Sequence, residues 1–192
     1  LHTLFPYTTL FRSISSPGTG GTTATLGRYV RYRQHCTRVL CADAERSVFF
    51  DYYLSGDAGL RLECGSRIEG IGRPRVEASF LPKVIDAMVK VPDALSLAAM
   101  HYLAERLGRR VGGSSGTNLI GALMAAQQMK AAGESGSIVA ILCDGGERYA
   151  TTYYDQAWLA GQGYELPGLI AAVAASVERG EPLPDNVLRA NI

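Results

Sequence analysis

Apolar positions along the chain follow two patterns: short unbroken runs, and longer stretches with one apolar face. Short apolar runs predict buried strands at residues 38–42, 88–91 and 137–143. Helical spacing predicts helices at residues 24–35, 81–88, 93–107, 117–132, 154–161 and 169–177. Because strands alternate with helices, we predict an α/β fold of three layers, with a mostly parallel sheet between two helical layers.

The stretch from 47 to 80 follows neither pattern clearly. An aromatic cluster at residues 49–53 is expected to fill a core or a subunit contact. Further on, Gly70 and Gly72 flank Ile71, which indicates a loop that lies close either to a ligand or to another part of the backbone. The tail, residues 181–192, contains two prolines and is expected to be irregular.

The first thirteen residues, LHTLFPYTTLFRS, show neither structural period and do not begin with Met. They lack the basic and apolar regions of a signal peptide, and they resemble a translated sequencing adapter joined to an open reading frame. We therefore expect residues 1–13 to be a non-native extension, with a native apolar arm as the alternative. On this interpretation the native sequence begins near Ile14, at the end of a strand, and one domain spans residues 14–180.

Three glycine-rich loops fall where a strand ends or a helix begins, at residues 18–22, 112–116 and 144–146. The first reads Gly18-Thr19-Gly20-Gly21-Thr22 and leads directly into a predicted helix. Free backbone N–H groups at a helix start bind anions, and glycines let a ligand approach them closely. Since ligands of parallel sheets bind at the carboxyl ends of strands, the three loops are expected to converge on one site that holds a phosphate.

Composition narrows the classes of partner. The formal net charge is +1, and 47% of the residues are hydrophobic, so a nucleic-acid footprint and general disorder are both excluded. No apolar run is long enough to predict a membrane span. The four cysteines have no metal-ligand spacing, and we expect a reduced, cytoplasmic protein without a bound metal.

Other ligand-binding motifs fit less well. The loop lacks the third glycine of a dinucleotide fingerprint, although Asp43 lies near the place of a ribose-binding acid. It also lacks the lysine of a P-loop. Gly112-Gly113-Ser114-Ser115-Gly116 matches the letters of a serine-nucleophile elbow, but no histidine follows it.

Four motifs in a fixed order resemble the C-terminal part of the fold-type-II pyridoxal-phosphate enzymes. They lie at residues 18–22, 68–72, 113–116 and 146–149. The chain is most similar to the cysteine synthase and cystathionine β-synthase family, and in detail to a cysteine-synthase-like subgroup that includes L-cysteine desulfhydrases. The resemblance covers residues 14–163 and implies an incomplete large domain of the tryptophan synthase β-subunit type.

The resemblance also implies roles for single residues. Residues 18–22 match the loop that holds the phosphate of pyridoxal 5′-phosphate, and Ser114 matches the serine that bonds the pyridine nitrogen. A neutral hydroxyl there does not hold the nitrogen protonated. Gly70 and Gly72 match a loop on the substrate side. Residues 147–148 are expected to fix the last loop of the sheet.

One part of the family pattern is not matched. The Schiff-base lysine and the loop that grips the substrate carboxylate lie in the family's N-terminal segment, and Lys83, Lys90 and Lys130 do not lie in that lysine's context. The resemblance thus implies a fragment with no catalytic residue of its own. Its parent is expected to be a homodimeric lyase or transferase that acts by α,β-elimination or β-replacement on L-cysteine or O-acetylserine. The alternative is a non-catalytic or NAD-type nucleotide-binding α/β module.

Overall fold

A computed structural model of the chain describes residues 10–184 and 189–191, and within them a five-stranded sheet forms the centre. Its spatial order is β4-β1-β2-β3-β5. The first four strands in chain order pair in parallel, and β5 runs antiparallel to β3. The strands are β1 (Leu10–Ser15), β2 (Arg38–Ala44), β3 (Ala87–Val91), β4 (Gly136–Ala140) and β5 (Arg189–Asn191).

Helices cover both faces of this sheet. They are α1 (Gly21–Tyr32), α2 (Phe49–Ser55), α3 (Asp93–Leu107), α4 (Gly113–Ala131), α5 (Gln156–Gly161) and α6 (Pro167–Arg179). Successive side chains of a strand point to opposite faces of the sheet. In β3, Val89 therefore packs with α3 and α4, whereas its neighbour Met88 packs with α2. The predicted α/β fold with a mostly parallel sheet is therefore confirmed.

Helix boundaries follow local signals where those signals are strong. Gly108 adopts a φ of 63° directly after α3, and this left-handed conformation ends the helix where the sequence predicts it. Asp155 caps α5, since its carboxylate accepts a hydrogen bond of 2.7 Å from the backbone N–H of Trp158.

Three predicted elements are wrong in type, burial or extent. Residues 81–88 form one short 3₁₀ turn, Pro82–Val84, because Ile85 is extended and Ala87 already starts β3. The apolar run at 137–143 does form β4, but this strand lies at the sheet edge and Val139 is 49% exposed. The tail contributes β5, although it was expected to be irregular. Residues 185–188 and 192 of that tail lie outside the described residues.

Part of the expected extension belongs to the sheet. Strand β1 begins at Leu10, and it lies between β2 and β4 with partners on both sides. Arg12 is 2% exposed and forms an ion pair of 2.6 Å with Glu134, while its Nη1 atom has no hydrogen-bond partner. Residues 10–13 are therefore part of the sheet, residues 1–9 lie outside the described residues, and a non-native origin of residues 1–13 stays a prediction.

Candidate active site

The loop between β1 and α1 presents backbone N–H groups without acceptors in the helix. Gly20 is the residue before α1, with a φ of 92° and no side chain to cap the helix. The first helical bond inside this turn runs from the N–H of Ala24 to the carbonyl of Gly20, at 2.9 Å. The N–H groups of Gly21, Thr22 and Thr23 precede that bond, so they remain available to an anion.

A cavity of ≈ 570 Å³ opens over the first two of these residues, Gly21 and Thr22, which both line it. Its lining includes every residue that the sequence assigned to phosphate binding, Gly18, Thr19, Gly20, Gly21 and Thr22. A buried hydrogen bond of 2.9 Å between the hydroxyls of Ser15 and Thr23 joins the strand to the helix below it. The donors, the space and the missing cap together fit a phosphate monoester.

The outer side of this loop is held by a segment that sequence reasoning did not assign to the site. A Cβ atom on Gly20 would lie 2.6 Å from Cα of Phe80, so only glycine fits there. The Ser79 hydroxyl donates to the Thr19 carbonyl at 2.7 Å, and Arg73 Nε donates to the Gly18 carbonyl at 3.2 Å. These contacts join residues far apart in the chain, so no local sequence signal could have found them.

A second cavity, of ≈ 280 Å³, lies where the three glycine-rich loops meet. The convergence that the sequence predicts is therefore present in the structure. The residues that line this cavity are Ser16, Gly18, Glu69, Gly70, Ile71, Ser114, Cys143, Asp144, Arg148 and Tyr149.

Ser114 lies in the first turn of α4 and faces this second cavity. Its side chain is 7% exposed, and its hydroxyl makes no hydrogen bond with the rest of the described chain. The hydroxyl is not among the fully buried atoms that lack a partner, so it is accessible from the cavity that Ser114 lines. It therefore fits a role as donor or acceptor toward a bound molecule.

The two glycines of the predicted substrate-side loop differ in their surroundings. Gly70 has a φ of 88° and lines the second cavity, and nothing lies within 4 Å of a Cβ built on it. Gly72 has a φ of 73° and packs against Ser66 and Ala44 instead, away from the cavity lining. Of these two glycines, only Gly70 lines the cavity together with Ser114.

Two side chains from other elements fix this loop. The Asp93 carboxylate, at the start of α3, accepts from the Ser66 hydroxyl at 2.7 Å and from the Arg67 N–H at 2.9 Å. The Tyr153 hydroxyl donates to the Arg67 carbonyl at 2.6 Å and accepts from the Glu69 N–H at 2.8 Å. The loop that carries Gly70 is thereby preorganised by partners that its own sequence does not reveal.

The loop after β4 forms the third side of the cavity. The Tyr149 hydroxyl donates to Asp144 Oδ2 at 2.6 Å, and the Cys143 N–H donates to the Ser115 hydroxyl at 2.9 Å. Burial and the neighbouring Asp144 carboxylate both raise the pKa of Tyr149, so its hydroxyl stays a donor. Arg148 forms an ion pair with Glu69, which links this loop to the loop of Gly70.

Lysine is absent from the described residues that line the first cavity, over the start of α1, and the second cavity, beside Ser114. Lys90 forms an ion pair of 2.6 Å with Asp51, Lys83 lies in the 3₁₀ turn, and Lys130 lies in the last turn of α4.

Asp43, the candidate ribose acid, is fully buried beneath α2. Its carboxylate accepts hydrogen bonds from the N–H groups of Ala44 at 3.1 Å and Phe50 at 2.9 Å. Burial raises its pKa to about 7. Because both oxygens are engaged inside the protein, Asp43 is not placed to bind a ribose.

In the part of the chain that the structure describes, we find no helix with the length and apolar character that a membrane crossing requires.

The sequence of this chain is similar to those of curated enzymes of cysteine metabolism. L-cysteine desulfhydrase Cds1 of Mycobacterium tuberculosis is 53% identical over 156 residues, which are 81% of this chain and 42% of that protein. Cysteine synthase 1 of Emericella nidulans is 29% identical over 172 residues, 88% of this chain and 44% of that protein. The chain therefore spans less than half the length of these curated relatives.

Comparison of structures and of family patterns agrees with this result. The crystal structure of O-ureido-L-serine synthase superposes with a TM-score of 0.61 and 24% identity, covering 79% of this chain and 47% of that one, which shows a shared fold. The pattern of the pyridoxal-phosphate dependent enzymes matches residues 13–144, which include residues 18–22, Gly70 and Ser114. The chain belongs to the pyridoxal-phosphate dependent enzyme family.

Proposed function

We propose that the chain forms most of the cofactor-binding domain of an enzyme that acts on L-cysteine or a related β-substituted amino acid. The observation that carries the proposal is a pair of cavities that share Gly18 in their linings, one over the start of α1 and one beside the unpartnered hydroxyl of Ser114. A phosphate group and a ring nitrogen on one small molecule would occupy the two ends. The 53% identity with a cysteine desulfhydrase supports the substrate class.

Each group of this chain has a simple role in that proposal. The N–H groups of Gly21 and Thr22 bind the phosphate dianion, and the dipole of α1 favours its negative charge. Ser114 bonds the ring nitrogen, and Gly70 leaves room on the substrate side. Pyridoxal phosphate itself supplies the electron sink for cleavage at Cα and Cβ.

Substrate and assembly belong to the same proposal. An amino-acid substrate would enter beside Gly70 and lose its β-substituent, by elimination or by replacement. A lysine from the segment that the relatives carry upstream would hold the cofactor and move the Cα proton. A cytoplasmic homodimer stays a prediction.

A chimera tests this function. The upstream segment of the Mycobacterium tuberculosis relative is placed before Ile14, in place of residues 1–13, and the protein is loaded with pyridoxal phosphate. We expect it to release sulfide and pyruvate from L-cysteine, because the chimera combines a lysine segment with the two cavities. Sulfide and pyruvate are measured side by side over the same time course.

The unaltered chain is the control and is expected to release neither product, since Lys83, Lys90 and Lys130 lie away from both cavities. Sulfide release by the unaltered chain would contradict the assignment of the missing lysine. A folded chimera that binds pyridoxal phosphate but leaves cysteine, O-acetylserine and serine unchanged would contradict the substrate class.

A further inference from the structure

The second cavity, which Ser114 lines, is also lined by an aspartate. Asp144 follows β4 and lines the same cavity of ≈ 280 Å³. Its Oδ1 atom lies so near Gly112, two residues before Ser114, that a Cβ on Gly112 would collide with it. The backbone holds this arrangement as well, since the Gly112 N–H donates to the Asp144 carbonyl at 3.0 Å.

One oxygen of this carboxylate is occupied and the other is open. Oδ2 accepts the hydrogen bond of 2.6 Å from the Tyr149 hydroxyl. Tyr149 is 4% exposed and stacks on Tyr153 with ring centroids 4.6 Å apart, so its hydroxyl has a fixed direction. Oδ1 lies against Gly112 and accepts no hydrogen bond from the described residues.

We infer that Asp144 is a positioning residue that sets the charge at the ring-nitrogen end of the proposed cofactor, and that Tyr149 limits its effect. The inference rests on the proposed function. A serine hydroxyl alone leaves a pyridine nitrogen largely unprotonated, whereas a nearby carboxylate favours the protonated ring. The Tyr149 hydrogen bond draws charge from the carboxylate and weakens that preference.

Other charged groups near this end partly cancel. Glu69 and Arg148 line the same cavity and form an ion pair with each other. Glu147 lies on the same loop as Asp144 but does not line the cavity, and Arg110 packs beside Gly146 with its guanidinium over the Tyr154 ring. Among the residues that the structure describes, Asp144 is therefore the carboxylate of this cavity that forms no ion pair.

The experiment uses pyridoxine 5′-phosphate, which carries the ring and the phosphate but no aldehyde and so needs no lysine. The pKa of its ring nitrogen is read from the ultraviolet spectrum of the bound ligand as the pH is varied. Asp144→Asn is expected to lower that pKa by about 1, because an opposite charge is removed. Tyr149→Phe is expected to raise it, since the carboxylate loses a hydrogen bond and keeps its charge.

Glu165→Gln is the control, because it removes one negative charge from an exposed residue that lines neither cavity. It is expected to leave the pKa of the bound ring nitrogen within about 0.3 of the unaltered chain, as for a screened surface charge. Equal pKa values for Asp144→Asn and the unaltered chain, with both binding the ligand, would overturn the inference and leave the proposed function standing. Failure of the unaltered chain to bind the ligand would overturn both.

Discussion

Replacing Gly20 with alanine is expected to release the cofactor from the chimera described above and to lower the free energy of unfolding by about 2–4 kcal/mol. Gly20 has a φ of 92°, which alanine adopts only with strain, and a Cβ there would lie 2.6 Å from Cα of Phe80. The loop can relieve this contact only by moving, and the movement would displace the N–H groups that face the phosphate. Pyridoxal phosphate retained after dialysis and the melting temperature measure the two effects.

Gly56→Ala is the matched control for backbone strain. Gly56 has a φ of 73° at the end of α2, and nothing lies within 4 Å of a Cβ built on it. The Gly56→Ala substitution should lower the free energy of unfolding by about 1 kcal/mol through backbone strain alone and leave cofactor retention unchanged. Equal cofactor loss in the two variants would show that strain, rather than the loop of Gly20, governs binding.

Removing residues 1–13 is expected to lower the free energy of unfolding by more than about 3 kcal/mol. The truncation deletes four of the six residues of β1, a strand that pairs with β2 on one side and β4 on the other. Both ladders lose hydrogen bonds, and Glu134 loses its partner Arg12. Urea unfolding of the two proteins gives the difference.

A truncation that removes only residues 1–9 is the control, because it leaves every described residue of β1 in place. The difference in stability between the two truncations measures the strand itself. If the two unfold at the same urea concentration, the ladder from Leu10 to Ser13 contributes nothing, and the fold starts near Ile14 after all. An origin of residues 1–13 outside the native sequence stays a prediction, which the natural reading frame upstream of Ile14 would test.

The elements that the sequence predicted best carry their signals locally. Helix α1 follows a glycine loop, α3 has apolar residues four apart and ends at Gly108, and the apolar runs of β2 and β3 are buried on both sides. In each case the residues of the segment itself determine its secondary structure. The order of these segments was enough to predict the α/β sheet and the meeting of the three glycine-rich loops.

The errors arise where distant residues decide the outcome. Residues 81–88 contain helix-forming residues. However, the Asp86 carboxylate accepts a hydrogen bond of 2.7 Å from the N–H of Val39 in β2, and β3 begins at the next residue. Residues 10–13 have no strand period, yet β2 and β4 pair with them on both sides. The supports of the site, Ser79 and Tyr153, are likewise far from the loops that they hold. Long-range contacts of this kind leave no periodic trace in one sequence.

Calorimetric titration of the unaltered chain with pyridoxine 5′-phosphate and with pyridoxine tests the central claim most directly. The claim is that residues 18–22 bind a phosphate group while the second cavity holds the ring to which it is attached. The phosphate ester is expected to bind at least about tenfold more tightly than the free alcohol, because charge-assisted hydrogen bonds to the N–H groups of α1 add more than 1.4 kcal/mol. Equal affinity for the two ligands, or no binding of either, would contradict the account.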